Sequence, residues 1–487
     1  MKTGRLPWRR RHKRLFRVLL IVGILLTYEL GGACVPFWFH PKVNAQYQAD
    51  WDRADYYATD STDRAALMVD NSDALDLRLR MIGEAQERIL FSTFEIRSDE
   101  SGRDILAALL SAADRGVSVQ FLCDGMNGLK NMTANPAFQA LGTHPNVEIR
   151  WYNTPNVLAP WTFNGRLHDK YIVIDDRLLL LGGRNTFDYF LGDYAPAEVC
   201  SHDLDVLIYN PLGTQAQGSA VFQVEDYFFQ VWDGPDCRTH LEGALPGTRG
   251  RTQAEAETLR ARWEALTQAK PGLVRPDGVD YQALTVPTEG VRLISNPIHI
   301  FSKEPVVWWE LMQLLEGAEE SAWLQTPYAV LDAQMVDGLR TLAAAPADIR
   351  LQINSTAVGD NVMASSDYTL RRQEVIDTGI TLYEYFGDRS SHGKSALVDD
   401  DLALVGSYNL DMRSTYIDTE LMLAVHSEPF AAQLSQHLEE MAAQALPVNP
   451  DGSYQPRDGV EAKPLAPPRS WLYPITSVLV QPIRYLL

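Results

Sequence analysis

The chain carries one pattern twice, as HDKYIVID at residues 168–175 and as HGKSALVD at residues 392–399. Each copy reads H-x-K-x4-D, and each is followed at the same distance by a small-residue turn that ends in Asn, GGRN at 182–185 and GSYN at 406–409. A single match to so short a pattern is weak evidence, because such matches also arise by chance. Two matches with similar tails indicate two related halves that both carry a His and a Lys.

The repeat extends upstream of the two motifs. An amphipathic helix is predicted around residues 106–113, and His168 and His392 each open a predicted strand. Apolar runs predict three earlier strands in each half, at 88–96, 116–123 and 146–152 in the first and at 323–328, 349–353 and 380–385 in the second. Strands that alternate with helical segments are typical of the α/β class. We therefore expect two α/β halves, each a mainly parallel sheet flanked by helices, related by a pseudo-twofold with the active site between them.

A chain of 487 residues exceeds the size at which a single core keeps growing, so two lobes are the default expectation. Between the halves, the alternation of predicted strands and helices ends. Gly and Pro clusters surround one polar helix that is predicted near 252–270. The expected parts are a basic segment with an anchor or signal at 1–40, a first half at 41–234, a linker at 235–290, a second half at 291–445 and a tail at 446–487.

The tail ends in an apolar and aromatic stretch, residues 471–487, which contains Pro474 and Pro482. These prolines prevent a continuous membrane-spanning helix. Two interpretations remain open. The stretch lies in the headgroup region of a membrane, where Trp, Tyr and Arg are favoured, or it packs over the second half.

Charge is distributed unevenly along the chain. Residues 1–17 hold eight basic residues and no acidic one, whereas the remaining 470 residues hold 35 basic and 63 acidic residues, a formal net charge of −28. A nucleic-acid-binding face needs clustered cations, so this acidic body predicts no nucleic acid partner.

An apolar run over residues 18–26 follows the basic stretch and continues, with interruptions, to Phe39. A membrane anchor is the favoured interpretation, and a cleaved signal or a peripheral segment are the alternatives. Basic residues before a span favour a cytoplasmic amino terminus. We therefore expect a cell-membrane protein with a single N-terminal anchor and an extracytoplasmic catalytic body.

Four cysteines are too few for a disulfide framework, and no C-x-x-C spacing indicates zinc. Cys200 and Cys237 are candidates for one disulfide outside the cytoplasm. Buried free thiols are the favoured alternative.

Within a strand, residues two apart point to the same side, so each motif projects its His and Lys together. If the halves pack around a pseudo-twofold, both pairs meet in one pocket together with two Asn amides. The expected site residues are the catalytic His168, Lys170, Asp175, His392, Lys394 and Asp399 and the phosphate-binding Asn185 and Asn409.

Such a pocket suits a phosphodiester. Cations and amides neutralise the charge that accumulates on the equatorial oxygens during transfer. One neutral imidazole can attack phosphorus while a protonated imidazole donates to the departing alcohol oxygen. Histidine suits both tasks because its ordinary pKa lies near neutrality. We therefore expect no metal and no cofactor.

Each imidazole needs an acceptor at Nδ1 so that Nε2 faces the substrate. Asp203 lies downstream of the first motif and Glu420 downstream of the second, and both are candidates for this His-orienting role. Asp205 and Asp418 are the competing choices.

The two motifs resemble the phospholipase D superfamily, and within it the bacterial cardiolipin synthase branch, over most of residues 70–440. The resemblance also rests on GGRN, on GSYNLDMRS and on the upstream SGRDIL and ADRGV segments. It implies a two-step reaction in which His168 is the nucleophile and His392 the general acid, with a phosphohistidine intermediate that water or an alcohol resolves. The chain departs from many members at Gly183, where they have Ser.

The leading hypothesis is a phosphatidyltransferase that forms cardiolipin, in which the headgroup glycerol of a second phosphatidylglycerol resolves the intermediate. The expected partners are a phospholipid, with phosphatidylglycerol favoured, and a membrane, and the oligomeric state is left open. A hydrolytic phospholipase D or another phosphodiesterase, releasing phosphatidic acid, is the nearest alternative. A scaffold of this fold without catalysis is a further alternative, disfavoured by the intact His and Lys in both halves.

Overall fold

A computed structural model describes residues 7–240, 247–274 and 278–487. Lys2 and Arg5 of the basic stretch lie outside the described residues, as do 241–246 and 275–277 of the predicted linker. The described chain forms two large sheets, each covered by helices.

Nine strands form the first sheet: β1 (Arg64–Met68), β2 (Arg88–Thr93), β3 (Ser118–Asp124), β4 (Val147–Tyr152), β5 (Tyr171–Ile174), β6 (Leu178–Gly182), β7 (Asp205–Tyr209), β8 (Cys237–Thr239) and β9 (Val286–Pro287). Their order across the sheet is β8-β4-β3-β2-β5-β6-β7-β1-β9. The neighbours β2, β3 and β4 are parallel, and all other pairs are antiparallel.

The second half adds ten strands: β10 (Gly290–Ser295), β11 (Ser321–Gln325), β12 (Ala329–Val330), β13 (Asp348–Asn354), β14 (Thr381–Tyr385), β15 (Ser395–Val398), β16 (Leu402–Gly406), β17 (Leu410–Asp411), β18 (Leu421–His426) and β19 (Ala445–Pro447). Eight of them form the second sheet, in the order β10-β18-β16-β15-β11-β13-β14-β19, and β12 pairs with β17. Only β11, β13 and β14 are parallel neighbours within this sheet.

The two sheets repeat one another strand for strand, from β8 to β1 in the first and from β19 to β10 in the second. The predicted α/β class with two related halves is thereby confirmed. The prediction that each sheet is mainly parallel is wrong, because each has only two parallel pairs. The physical reason lies in the motif strands. β5 turns directly into β6 and β15 into β16, and such tight hairpins produce antiparallel pairs.

Fifteen α-helices surround the sheets: α1 (Pro7–Cys34), α2 (Ala45–Asp50), α3 (Asn71–Glu84), α4 (Glu100–Asp114), α5 (Gly125–Asn131), α6 (Pro136–Gly142), α7 (Ala220–Trp232), α8 (Arg249–Ala269), α9 (Tyr281–Leu284), α10 (Val306–Glu316), α11 (Ala333–Ala343), α12 (Val362–Ile376), α13 (Met412–Tyr416), α14 (Glu428–Ala442) and α15 (Arg469–Leu479), counted over the described ranges. Helix α8, which the sequence placed in the linker, packs on α4 and α6. Its Leu259 and Trp263 join the core of the first half.

Each half has its own apolar core, and a third cluster joins the halves. Leu181 and Val206 of the first sheet and Val405 and Leu423 of the second belong to this shared cluster, and all four are almost fully buried. Strand β16 also contacts β6 and β7 directly. The strands that follow the two motifs are therefore held against each other by buried apolar surface, which places the two motifs close together.

Helix α1 contains most of the single stretch in the described residues that is long and apolar enough to cross a membrane, Leu15–Phe37, with mean hydropathy 2.1. Its most apolar window is not buried against the rest of the protein. A core helix of a soluble protein would be mostly buried, so this helix fits a transmembrane anchor.

All four cysteines are free thiols, and Cys123 and Cys200 are buried. Cys200 therefore agrees with the favoured alternative of a buried free thiol, whereas Cys237 is free but only partly buried.

Candidate active site

The His-x-Lys part of each motif, residues 168–170 and 392–394, immediately precedes β5 or β15. His168 and His392 therefore lie before the strands that they were predicted to open. The expected alternation of side chains is present in the first motif. The Asp169 carboxylate points away from the His168 ring and accepts a hydrogen bond from the Tyr227 hydroxyl at 2.9 Å.

Each motif segment is also held by the opposite half. Leu167 forms a parallel bridge with Thr419, and Ser391 forms a parallel bridge with His202. The Thr419 hydroxyl accepts the His168 backbone N–H at 3.1 Å. These reciprocal contacts give the site the pseudo-twofold arrangement that the sequence predicted.

The structure brings both predicted histidines and both predicted asparagines to one cleft of about 860 Å³. Its size falls within the usual range for ligand sites. Oδ1 of Asn185 and Oδ1 of Asn409 are buried and, within the described ranges, have no hydrogen-bond partner. Buried polar atoms are normally paired, so these two oxygens are available to accept a hydrogen bond from a donor group of a ligand, such as a hydroxyl.

The histidines are oriented by carboxylates from the opposite halves. Nδ1 of His168 lies 2.8 Å from Oε1 of Glu420, and Nδ1 of His392 lies 2.7 Å from Oδ2 of Asp203. Both carboxylates are almost fully buried. With Nδ1 engaged in each ring, Nε2 is the nitrogen left for chemistry.

The competing carboxylates have other partners. Asp205 pairs with the guanidinium groups of Arg78 and Arg184 at 3.0 and 2.9 Å. Asp418 accepts from the backbone N–H of Arg166 at 2.9 Å and lies 3.3 Å from the guanidinium of Arg413. In the structure, Asp203 and Glu420 are therefore the carboxylates that contact the imidazoles.

The lysines lie behind the imidazoles rather than on the wall of the cleft. Nζ of Lys170 donates to the backbone oxygen of His168 at 2.6 Å, and Nζ of Lys394 donates to the backbone oxygen of His392. Burial lowers the pKa of Lys170 to about 7 and that of Lys394 to about 8. A bound anion would favour their charged forms.

The two His–carboxylate pairs differ in their electrostatics. Burial, together with the Lys170 and Lys394 ammonium groups, holds the pKa of His168 well below its usual value. Burial and Lys394 also lower the pKa of His392, but the Asp203 carboxylate opposes this shift. Of the two imidazoles, His168 is thus the more strongly held in its neutral form.

The pKa values of the two carboxylates also differ, because they are shifted in opposite directions. Burial raises the pKa of Asp203, yet Lys394 and His392 outweigh burial and the net shift is downward. Burial raises the pKa of Glu420 well above its ordinary value. Asp203 is therefore held in its ionised form more strongly than Glu420, and it favours a protonated His392.

Gly183 and Ser407 occupy matching positions in the two halves but have different neighbours. The Ser407 hydroxyl donates to Oε2 of Glu420 at 2.5 Å. At Gly183, a Cβ atom would lie 2.2 Å from Oδ1 of Asp203, which instead accepts the Leu204 backbone N–H at 2.8 Å. At Asp203, the Leu204 backbone N–H thus donates in place of a serine hydroxyl, and a glycine leaves room for the carboxylate. This accounts for Gly at position 183, where many family members have Ser.

Asp175 and Asp399, the last residues of the motifs, do not join the cleft. Both have positive φ, 51° in each case, in the turns after β5 and β15. Each carboxylate accepts three backbone N–H groups, from residues 86–88 at Asp175 and from residues 319–321 at Asp399. These contacts are those of residues that fix a turn. Neither aspartate lines the cleft, so the prediction that they are catalytic is wrong.

Sequence reasoning missed other groups that line the cleft. Arg97, Arg413 and Arg469 add cationic groups to the cleft. Of these, only Arg413 lies in a segment on which the family resemblance rests, GSYNLDMRS. The rings of Phe94 and Phe190 lie 4.9 Å from those of His168 and His392. Residues of the tail, Ile483, Leu486 and Leu487, form part of the wall. The sequence left open that the tail packs over the second half, as it does, but did not predict that the tail lines the cleft.

The chain is similar in sequence and in fold to known proteins. Cardiolipin synthase A of Pseudomonas aeruginosa (strain LESB58) is 26% identical over 396 residues, which cover 80% of this chain and 69% of the relative. Cardiolipin synthase B of Salmonella typhi is 28% identical over 360 residues, which cover 74% of this chain and 75% of the relative. The crystal structure of phosphatidylserine synthase from Haemophilus influenzae Rd KW20 matches with a TM-score of 0.61 at 15% identity, over 89% of this chain and 99% of that one. This last likeness shows the fold alone.

Residues 79–232 and 311–442 match the family model described as "Cardiolipin synthase, PLD-like domain". The matched ranges contain both motifs, both turn sequences and both His-orienting carboxylates. The chain therefore belongs to the phospholipase D superfamily, in the family of cardiolipin synthase PLD-like domains.

Proposed function

We propose that this protein is a phosphatidyltransferase that joins two phosphatidylglycerol molecules into cardiolipin and glycerol. The observation that carries the proposal is the crossed pair of contacts in one cleft, His168 with Glu420 and His392 with Asp203. Two imidazoles with Nδ1 engaged and Nε2 available match a double displacement at phosphorus.

His168 is the nucleophile in the proposed reaction. Its Nε2 attacks phosphorus, the bond from phosphorus to the headgroup glycerol oxygen breaks, and protonated His392 donates its Nε2 proton to that oxygen. Neutral His392 then removes the proton from the hydroxyl of a second phosphatidylglycerol, whose oxygen attacks phosphorus and releases His168. The low pKa of His168 and the ionised Asp203 beside His392 support this division of roles.

The remaining site residues stabilise charge. Lys170 and Lys394 place positive charge behind the two rings, and Asn185 and Asn409 present amides to the cleft. Fixed donors and cations of this kind are effective where negative charge grows on phosphoryl oxygens.

A lipid substrate is supported by the wall of the cleft and by the relatives. Phe187, Phe190, Met363 and Leu486 give part of the cleft an apolar lining beside the histidines. The relatives named above are cardiolipin synthases, and at 26% and 28% identity they support the same class of substrate.

We also propose that α1 anchors the protein in the cell membrane with the catalytic body outside the cytoplasm. The apolar stretch Leu15–Phe37 and the basic residues before it support this orientation. The acceptor and donor would then both be lipids of the adjoining bilayer.

The test is mass spectrometry of lipids after purified full-length protein is incubated with phosphatidylglycerol in detergent. The His168→Ala variant is the control for contaminating activity. Cardiolipin with equimolar glycerol is the expected product. Phosphatidic acid without cardiolipin would identify a hydrolase, and equal product from the His168→Ala variant would overturn the assignment of the nucleophile.

A further inference from the structure

Helix α15 is apolar on both of its faces. Tyr473, Ser477 and Val480 follow a helical spacing and are buried where α15 packs on α12. The opposite side, which we call the apolar face, is exposed by 55–69% at each position and consists of Trp471, Ile475, Val478 and Leu479. A helix on the surface of a soluble protein normally places polar residues on that side.

The tail touches the end of the proposed anchor. The Tyr485 hydroxyl donates to the backbone oxygen of Cys34, the last residue of α1, at 3.3 Å. The Tyr485 ring also stacks on Trp38, with ring centroids 6.0 Å apart. The segment that follows the apolar face is therefore fixed beside the point at which α1 joins the body.

Further exposed apolar side chains lie around this point. Trp38 and Phe39 are 66% and 80% exposed, and Val157 and Leu158 are 65% and 78% exposed. The loop that carries Val157 and Leu158 is held against α1, since the Tyr28 hydroxyl donates to the backbone oxygen of Leu158 at 2.6 Å. Exposed apolar side chains that cluster in this way mark an interaction surface.

The tail also forms part of the cleft. Ile483, Leu486 and Leu487 line it, and the backbone oxygen of Leu487 accepts the Arg413 backbone N–H at 2.7 Å. The same short segment thus connects three features: the end of α1, the apolar face and the entrance to the histidines.

We propose that the apolar face of α15, together with Trp38, Phe39, Val157 and Leu158, inserts into the interfacial layer of a phospholipid bilayer and holds the cleft against the lipid headgroups. The proposal rests on the proposed function, because it takes α1 as the anchor. A bilayer is the favoured occupant since the surface adjoins α1, whose apolar side chains between Leu15 and Leu26 are exposed and suit an apolar phase. Exposed Trp side chains are favoured at the boundary of that phase.

The first test detects contact with lipid directly. A photoreactive benzoylphenylalanine is placed at position 475, at position 24 of α1, or at position 212, in full-length protein reconstituted into phosphatidylglycerol vesicles. Leu212 is a matched control because it is 47% exposed and follows β7 at the end away from the cleft. After illumination, mass spectrometry is expected to show lipid adducts at 24 and 475 and none at 212.

Other outcomes separate this inference from the proposed function. Lipid adducts at 24 without any at 475 would overturn the docking surface and leave the anchor standing. Absence of adducts at both positions would overturn the anchor as well. Cross-links from 475 to a second copy of the chain would replace the bilayer by a protein partner and overturn the proposal.

The second test measures the consequence for catalysis. The triple variant Ile475→Ser, Val478→Ser and Leu479→Ser removes apolar side chains that are more than half exposed in the structure, and Leu212→Ser is the control. Turnover of phosphatidylglycerol in vesicles is expected to fall by about tenfold or more, because each side chain loses apolar burial in the membrane. Turnover in detergent micelles is expected to stay near that of the parent. An equal loss in both systems, or no loss in vesicles, would overturn the proposal.

Discussion

Oε1 of Glu420 lies 2.8 Å from Nδ1 of His168, so a carboxylate of the second half orients an imidazole of the first. The reciprocal contact, between His392 and Asp203, spans 189 positions of the chain in the same way. Neither His168 nor His392 is oriented by a carboxylate of its own half. The buried apolar cluster shared by the two sheets is therefore part of the catalytic apparatus, because it sets the distance between each ring and its carboxylate.

A change of leaving group will distinguish the roles of the two histidines. With phosphatidyl-p-nitrophenol as donor, the leaving p-nitrophenolate needs no proton, so His392→Ala should still form the covalent intermediate. We expect a burst of p-nitrophenol close to one equivalent per protein, followed by a stall because the base for the second step is missing. Turnover of phosphatidylglycerol by the same variant should fall by about 10²–10⁴-fold. The measurement is stopped-flow absorbance together with mass spectrometry of the trapped peptide.

The matched variant in that experiment is His168→Ala, for which no burst is expected. An adduct on the peptide that contains His168 would support the assignment. A burst from His168→Ala, with the adduct on His392, would reverse the two roles.

The pH dependence of turnover should respond to Asp203. The carboxylate of Asp203 raises the pKa of His392, so its removal in Asp203→Asn lowers that pKa. Protonated His392 is then lost at lower pH, and the alkaline limb of kcat/KM should move toward acid. Glu420→Gln removes the carboxylate beside His168, so it should reduce kcat/KM without moving the alkaline limb. An alkaline limb that stays in place in Asp203→Asn would argue against His392 as the general acid.

The sequence alone could predict the halves, four strands in each half and the residues that chemistry requires, because periodicity and a repeated motif are local signals. The direction of the strands is mispredicted, because helices between strands suggest crossover connections and hence parallel pairs. The antiparallel β5–β6 and β15–β16 hairpins depend instead on the turns at Asp175 and Asp399. The motif also places Asp175 and Asp399 among the predicted catalytic residues, because the spacing of a motif does not reveal which end of a strand faces the substrate. The crossed His–carboxylate pairs and the position of the tail depend on contacts between distant segments, which no local pattern records.

Asp175 should matter for folding rather than for chemistry. In Asp175→Ala, three backbone N–H groups of residues 86–88 lose their acceptor, and a non-glycine residue without a polar side chain must hold φ of 51°. We expect a loss of about 3 kcal/mol in the free energy of unfolding, with kcat of the folded fraction nearly unchanged. Asp175→Asn should lose less, because Asn tolerates positive φ. Thermal unfolding in detergent and active-site titration measure the two quantities.

Asp399 offers a repeat of that experiment in the second half, where it accepts the N–H groups of residues 319–321. A large loss of kcat with unchanged unfolding temperature, at either position, would return the aspartate to the catalytic set.

Exchange of the residues at 183 and 407 should affect the two histidines separately. In Gly183→Ser the new Cβ would lie 2.2 Å from Oδ1 of Asp203, so the carboxylate must move away from His392. We expect turnover of phosphatidylglycerol to fall by about 10²-fold or more, while the burst with phosphatidyl-p-nitrophenol survives because that step needs no general acid. In Ser407→Gly the donor to Glu420 is lost, and the burst itself should slow because Glu420 orients the nucleophile. If Gly183→Ser kept full turnover of phosphatidylglycerol, Asp203 could not be the group that orients His392, since the substitution leaves no room for its present position.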